Sequence, residues 1–133
     1  MKKGKETNSP DLGKSKILVV DDEPDLTFAY KAVLKEEFVV DVFNDPSEAL
    51  SQFKPGFYDL LLLDIKMPKM NGFELHRELV KIDNKAKICF ITSFVTYYES
   101  LSEIYPELRV DCFIRKPIEP DALIRKIRTE LGR

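Results

Sequence analysis

The sequence is poor in the side chains that build histidine metal sites and histidine-based catalytic pairs. Its 133 residues include one histidine, two cysteines and no tryptophan. The single histidine, His76, has no second imidazole to share a metal and no partner for a catalytic triad. Its place beside Arg77 and Glu78 predicts an exposed position in the middle of a helix. Zinc-type histidine clusters and serine–histidine triads are therefore not expected.

The two cysteines, Cys89 and Cys112, each lie inside an apolar run and lack the spacing of metal ligands. Two cysteines in such positions favour free thiols that pack in the core over a disulfide between them. They also indicate a reducing compartment.

No apolar stretch reaches the roughly 18 residues that a membrane span needs. The lysines at the N-terminus are not followed by the apolar segment of a secretory signal, so the sequence predicts a cytoplasmic protein with no membrane partner. The first 16 residues hold five lysines against Glu6 and Asp11, whereas the whole chain has a net charge of −2. The rest of the chain is therefore mildly acidic, which argues against nucleic acid as its main partner.

The length is that of one domain. Residues 1–15 are polar and lack periodicity, which predicts a flexible tail, and residues 16–133 form the predicted domain. Apolar runs of strand length alternate there with patterns of helical spacing. The predicted strands span 16–20, 38–43, 59–64, 87–92 and 110–114, and the predicted helices span 24–36, 46–54, 72–82, 94–104 and 120–131.

This order of five β-α units predicts an α/β protein with an open parallel sheet and helices on both faces. Ligands of such sheets bind beyond the carboxyl ends of the strands. Four of the five predicted strands lead into side chains that could bind a ligand or take part in a reaction. Asn44 and Asp45, after the second strand, do not stand out in this way. The chemical groups are Asp21, Asp22, Asp64, Thr92, Ser93 and Lys116.

Three carboxylates in one pocket repel one another, so either one of them is protonated or a cation binds. Mg²⁺ suits a site made of oxygen atoms. Lys116 can neutralise phosphate oxygens as a point charge, and the Thr92 hydroxyl can donate a hydrogen bond. The set as a whole is typical of phosphoryl transfer to a carboxylate nucleophile.

Over about residues 16–131 the sequence resembles the receiver domain of two-component response regulators. The matching motifs are Asp21-Asp22, Asp64, Met67-Pro68, Asn71-Gly72, Thr92 and Lys116-Pro117. The resemblance implies a flavodoxin-like (βα)5 three-layer sandwich, with a five-stranded parallel sheet in strand order 2-1-3-4-5.

The resemblance also implies the role of each residue. Asp64 is expected to accept a phosphoryl group from a histidine of a partner kinase or phosphotransfer protein. Asp22, Asp64 and the Lys66 backbone carbonyl are expected to ligate Mg²⁺ directly, and Asp21 through a metal-bound water. Thr92 and Lys116 are expected to bond the phosphoryl oxygens.

Phe113 falls at the position of the family's switch aromatic, so a shift of Thr92 toward the phosphoryl group is expected to make room for it to turn inward. The Lys116–Pro117 peptide is expected to be cis. The fourth helix, the fifth strand and the closing helix are expected to form the face that binds a downstream protein. The protein is expected to be a monomer or a weak dimer through that face.

Two rim positions vary within the family and are occupied here by Lys66 and Phe94. Lys66 adds positive charge beside the acidic groups, which predicts a weakened affinity for Mg²⁺. Residues 105–111 lack the Gly-Ala loop that is common in the family, so the details of the signalling face are expected to differ. The tyrosines near the fourth helix, Tyr97, Tyr98 and Tyr105, either cover the core or form a partner-binding face.

The sequence thus favours a stand-alone switch that catalyses only its own phosphorylation and dephosphorylation. One alternative is an aspartyl-phosphate phosphatase of the haloacid dehalogenase type, but that type has a second acid where Lys66 stands. The other is a pseudo-receiver that only binds partners, and the complete acidic set argues against it.

Overall fold

Five parallel strands form the centre of the protein, in the order β2-β1-β3-β4-β5. The structure is a computed structural model that describes residues 12–94, 100, 103–104, 106 and 112–132. The strands are β1 (Lys16–Val20), β2 (Val39–Phe43), β3 (Leu60–Asp64), β4 (Lys87–Thr92) and β5 (Phe113–Arg115). The predicted fold class and strand order are confirmed.

The central strand β3 is buried along its whole length, which explains its unbroken run of leucines. Successive side chains of a strand point to opposite faces of the sheet. Leu60 and Leu62 accordingly join one core cluster, and Leu61 and Leu63 join the cluster on the other face.

Four described helices cover these two faces: α1 (Pro24–Leu34), α2 (Pro46–Ser51), α3 (Gly72–Ile82) and α4 (Pro120–Glu130). Tyr30 of α1 and Leu123 of α4 belong to the first cluster, whereas Ala49 of α2 and Phe73 of α3 belong to the second. The helices therefore form the outer layers of a three-layer sandwich, as expected.

Proline and side-chain caps place the helix starts where the sequence predicted them. Proline occupies the first turn of α1, α2 and α4. The Asp45 side chain accepts a hydrogen bond from the Ser47 backbone N–H at the start of α2. Asn71 and Glu74 form a reciprocal capping box at the start of α3. The capping box thereby fixes the first turn of α3.

The preference for free thiols is wrong in this structure, in which Cys89 and Cys112 form a disulfide. Phe90 of β4 pairs with Phe113 of β5, so the residues before them face each other across adjacent strands. Their Cα atoms are 4.5 Å apart, within the range of disulfides. A separation of 23 residues along the chain hides this proximity in the sequence.

The predicted exposure of His76 is also wrong. His76 is half-buried and packs edge-on against Phe90, with a ring centroid distance of 5.7 Å. The helix face that contains His76 is thus turned toward the sheet.

Several predictions fall on parts of the chain that the structure does not describe. Most of the tail at 1–15, most of the predicted helix at 94–104, the tyrosines Tyr97, Tyr98 and Tyr105, and most of the stretch at 105–111 lie outside the described residues. Strand β5 is described from Phe113 onward, later than the predicted start. Among the helices in the described ranges, none has the length and apolar character of a membrane span.

Candidate functional site

The carboxyl ends of β1 and β3 bring three aspartates together. Val20 pairs with Leu63, so the residues that follow them, Asp21 and Asp64, are neighbours at the same edge of the sheet. Asp22 joins them from the start of the loop after β1. Carboxylate oxygens of these three aspartates lie within 4.8 Å of one another. The predicted acidic cluster is therefore present in the structure.

Asp21 is fully buried and held from several sides. Its Oδ1 accepts a hydrogen bond of 3.0 Å from the Glu23 backbone N–H, and its own N–H donates to the carbonyl of Phe43 at 3.1 Å. The Asn44 side-chain amide donates to the Asp21 carbonyl at 2.9 Å and to the Thr27 hydroxyl at 2.9 Å. Asn44, which looked unremarkable in the sequence, therefore fixes the loop that contains Asp21.

Lys116 reaches the acidic cluster from the end of β5. Its Nζ donates to Oδ2 of Asp21 at 2.7 Å and lies 3.5 Å from Oδ1 of Asp64. The Glu23 carboxylate also lies 3.5 Å from this ammonium. The Lys116 side chain is only 7% exposed, so solvent screens these contacts little. Glu23 is a second residue that sequence reasoning did not place at the site.

The electrostatics of the cluster favour a bound cation. Burial raises the pKa of Asp64 to about 8, and the neighbouring charge on Asp21 adds to the shift, although Lys116 opposes it. Burial also raises the pKa of Asp21, against the effect of the hydrogen bond from Lys116. Burial alone would lower the pKa of Lys116, but its contacts with Asp21 and Asp64 raise it. One lysine thus leaves the three carboxylates partly uncompensated.

The donor set fits Mg²⁺ better than a transition metal. The three aspartates offer hard carboxylate oxygens, and the residues that could hold an ion here include no sulfur or imidazole ligand in the described part of the chain. The adjoining cavity of about 570 Å³ has room for the waters that Mg²⁺ keeps.

Thr92 ends β4 beside this cluster and is fully buried. Its carbonyl accepts a hydrogen bond of 2.9 Å from the Lys116 backbone N–H. Its hydroxyl oxygen accepts a bond of 3.0 Å from the N–H of Phe94. The Lys116–Pro117 peptide is cis, as the resemblance implied. The ends of β4 and β5 are thus tied together at the site.

Gly72 explains part of the loop that follows Asp64. A Cβ atom at this position would lie 2.3 Å from the carbonyl oxygen of Asp64. The Gly72 N–H donates to the carbonyl of Ile65 at 2.8 Å, which holds the start of α3 against the end of β3. No side chain larger than hydrogen fits without moving Asp64.

The rim of the cavity brings the two variable positions into contact. The Lys66 ammonium lies over the Phe94 ring, 4.3 Å from its centroid, in a cation–π arrangement. The cavity itself is lined by Asp22, Glu23, Asp64, Lys66, Met67, Pro68, Ser93, Phe94 and Lys116. Lys66 and Phe94 therefore border the entrance above Asp64.

Phe113, the predicted switch aromatic, is the first residue of β5 and is half-buried. It packs against the second core cluster and pairs with Phe90 of β4. Thr92 pairs with Arg115, and Phe113 lies two residues earlier in β5. Phe113 is therefore outside the acidic cluster itself.

Comparison with known proteins identifies the family that shares these features. The family model described as the response regulator receiver domain matches residues 17–128. The transcriptional regulatory protein DltR of Streptococcus agalactiae is 32% identical over 114 residues, which are 85% of this chain and 50% of DltR. The chain spans about half the length of the curated relatives it matches.

Solved structures agree with this match. A CheY-like receiver domain protein from Methanospirillum hungatei superposes with a TM-score of 0.79 at 29% identity, covering 90% of this chain and 94% of that one. The response regulator TrrA of Thermotoga maritima, solved in complex with Mg²⁺-BeF, gives a TM-score of 0.72 at 36% identity, covering 86% of this chain and 97% of TrrA. These matches favour a response regulator over the aspartyl-phosphate phosphatase considered from the sequence.

Proposed function

Because this chain belongs to the response regulator receiver family, we propose that it is a switch in which Asp64 accepts a phosphoryl group from a histidine of a partner kinase or phosphotransfer protein. The observation that carries this proposal is the position of Asp64. It lies at the floor of an open cavity, between two further aspartates and the Lys116 ammonium. A carboxylate so placed faces both the incoming phosphoryl group and the charges needed to stabilise it.

In the proposed reaction an oxygen of the Asp64 carboxylate, ionised once a cation offsets its raised pKa, attacks the phosphorus of the partner's phosphohistidine. The P–N bond breaks with its electron pair going to the imidazole nitrogen, which takes a proton from solvent, so the products are an acyl phosphate and a neutral histidine. Lys116 and the Thr92 hydroxyl bond the phosphoryl oxygens as their charge develops. In the structure the Thr92 oxygen accepts a hydrogen bond from the Phe94 N–H, which leaves the hydroxyl hydrogen to be donated to a phosphoryl oxygen.

Mg²⁺ is proposed to bind between the side chains of Asp22 and Asp64 and the backbone carbonyl of Lys66, with Asp21 reached through a water. Bound there, the ion neutralises carboxylate and phosphoryl charge. The chemistry of the donor set and the raised pKa of Asp64 support this assignment. The related TrrA, which is 36% identical, was solved with Mg²⁺-BeF.

Signalling is proposed to follow from the coupling of Thr92 to β5. When Thr92 turns toward the phosphoryl group, room opens for Phe113 to move inward, which alters the face around β5 and α4. A downstream protein, or a second copy in a weak dimer, is proposed to bind that face. The direct contact of Lys116 with both the acidic cluster and the Thr92 carbonyl supports this route.

The test is phosphorylation by a small donor. The protein is incubated with acetyl phosphate or phosphoramidate and Mg²⁺, and its intact mass is measured. One phosphoryl adduct is expected on the wild type and none on Asp64→Asn. Asp59→Asn alters an exposed aspartate just before the other end of β3 and should label like the wild type. No adduct on the wild type, or equal labelling of Asp64→Asn, would contradict the proposal.

A further inference from the structure

A second group of metal-ligating side chains lies away from the phosphorylation site. It consists of Cys89 in β4, Cys112 just before β5, and Glu130 at the end of α4. The two sulfurs and a carboxylate oxygen of Glu130 lie within 4.8 Å of one another. Cys89 precedes Thr92 by three residues along β4, which separates the two sites by roughly 10 Å of strand.

The fold brings these three residues together from separate parts of the chain. Strand register places Cys89 and Cys112 side by side on one face of the sheet, with both side chains in the first core cluster. Leu123 and Ile127 of α4 pack on the same cluster, and the end of that helix carries Glu130 to the two sulfurs.

The Glu130 carboxylate has no evident structural task in this place. It is half-buried, and among the residues the structure describes it makes no hydrogen bond or ion pair. A partly buried carboxylate without a partner is unfavourable beside an apolar cluster. The same carboxylate becomes favourable when a cation lies between it and two thiolates.

We propose that, after reduction of the disulfide, Cys89, Cys112 and Glu130 form a binding site for a thiophilic divalent ion of the Zn²⁺ class. Reduction by a dithiol transfers two electrons and two protons to the disulfide, leaving two thiols and an oxidised reductant. Binding of the ion then releases the two thiol protons and forms two metal–sulfur bonds, and Glu130 adds an oxygen ligand.

The ligand types suit this class of ion. Zn²⁺ is held by thiolate sulfur and carboxylate oxygen in tetrahedral sites, and two thiolates favour it over Mg²⁺. Two thiolates and one carboxylate carry three negative charges, of which a divalent ion neutralises two. The fourth position is left for water, which enters along the partly exposed Glu130. The metal site needs both sulfurs as thiolates, so it cannot form while the two cysteines are joined in the disulfide.

Cobalt is the probe, because Co²⁺ bound to thiolates in a tetrahedral site gives a thiolate-to-metal charge-transfer absorption that oxygen ligands do not give. The full chain is reduced with a dithiol, transferred without oxygen, and titrated with Co²⁺ in excess Mg²⁺. One Co²⁺ per chain with that absorption is expected, and Zn²⁺ should bleach it. Oxidised protein should give no such band.

Variants identify the ligands. Cys89→Ser and Cys112→Ser each keep one thiolate, and each should weaken Co²⁺ binding and reduce the band. Glu130→Gln keeps the shape of a partly exposed side chain and should weaken Co²⁺ binding more than about tenfold, since even residues outside the ligand set change metal affinity by about 10- to 100-fold. Glu119→Gln, at the exposed start of the same helix, should bind like the wild type.

Absence of the band in the reduced wild type would overturn the proposal, as would unchanged affinity of Glu130→Gln. Circular dichroism shows whether each variant folds. If a cysteine variant is unfolded, the Co²⁺ titration of the reduced wild type still tests the proposal. Asp64→Asn should bind Co²⁺ at the thiolates normally. The site is therefore tested independently of phosphorylation.

Discussion

Lys116 lies closer to Asp21 than to Asp64: its Nζ is 2.7 Å from Oδ2 of Asp21 and 3.5 Å from Oδ1 of Asp64. The ammonium is thus hydrogen-bonded to the aspartate that the site keeps fully buried, and it stands beside the proposed phosphoacceptor without a direct hydrogen bond. A modest shift would bring it to Asp64 or to a phosphoryl group attached there.

Lys116→Met should destabilise the protein, because it leaves Asp21 buried without its cation. Breaking a buried ion pair by removing one partner typically costs about 3–5 kcal/mol. Denaturant unfolding should show a loss of this order in the free energy of unfolding, and Mg²⁺ should restore part of it by replacing the missing charge. Lys81→Met, on an exposed helix surface, is the control. Equal stability of the two variants would refute the structural role of Lys116.

Gly72→Ala should displace the end of β3. The added Cβ would lie 2.3 Å from the Asp64 carbonyl oxygen, so the backbone must move. Overpacking of this kind costs about 1–3 kcal/mol, and labelling by acetyl phosphate should fall with it. Val80→Ala, at a partly exposed position of the same helix, should change neither quantity much. Normal labelling of Gly72→Ala would show that the contact is relieved without moving Asp64.

Lys66→Ala should bind Mg²⁺ more tightly than the wild type, because a positive charge at the rim opposes a cation below it. Exposed charge pairs contribute about 0.2–1 kcal/mol, which corresponds to a gain of about 1.5- to 5-fold in affinity. Calorimetric titration with Mg²⁺ measures it, with Lys81→Ala as the control for a change in net charge. Unchanged or weaker binding would contradict this prediction. Unchanged binding would indicate that the contact with Phe94 holds the Lys66 ammonium too far from the carboxylates to matter.

His76 should make stability depend on pH just below neutrality. Burial lowers the pKa of His76 below its usual 6.5, and its Nδ1 lacks a hydrogen-bond partner in the described structure. The unfolded chain therefore takes up the proton more readily than the native chain, so stability is full above about pH 6.5 and declines as the pH falls toward the native pKa. His76→Leu should lack this component.

The free energy of unfolding is measured between about pH 5 and 8 for the wild type and His76→Leu. The difference between the two profiles gives the contribution of His76, since other groups contribute equally to both. His76 is the only histidine, so its imidazole resonance also gives one titration curve. Parallel stability profiles, or a native pKa at or above 6.5, would rule out the effect.

The strands and the acidic site were predictable from the sequence because they depend on local pattern. A run such as Leu60–Leu63 is compatible with burial on both faces, and parallel strands place their following residues at one edge. Asp21, Asp64 and Lys116 are widely separated in the chain. Asp64 is nevertheless the last residue of its strand, and Asp21 and Lys116 directly follow theirs, so that rule joins them.

The features that the sequence did not predict depend on register and on helix rotation. The pairing of Cys89 with Cys112 requires knowing which residue of β4 lies opposite which residue of β5. The burial of His76 depends on how α3 is rotated over Phe90. The role of Asn44 depends on the path of the neighbouring loop, which brings the Asp21 carbonyl to its amide.

Lys116 connects the last strand to the first: its backbone N–H bonds the end of β4, while its side chain reaches Asp21 beyond β1. A protein that bound the β5 edge would therefore act on the same residue as the phosphoryl group proposed on Asp64, without touching the acidic cluster. Where the two ligands favour different positions of Lys116, thermodynamic linkage requires that each alters the affinity for the other by the same factor. A partner bound at the β5 edge would then alter the proposed phosphorylation of Asp64 as well as respond to it.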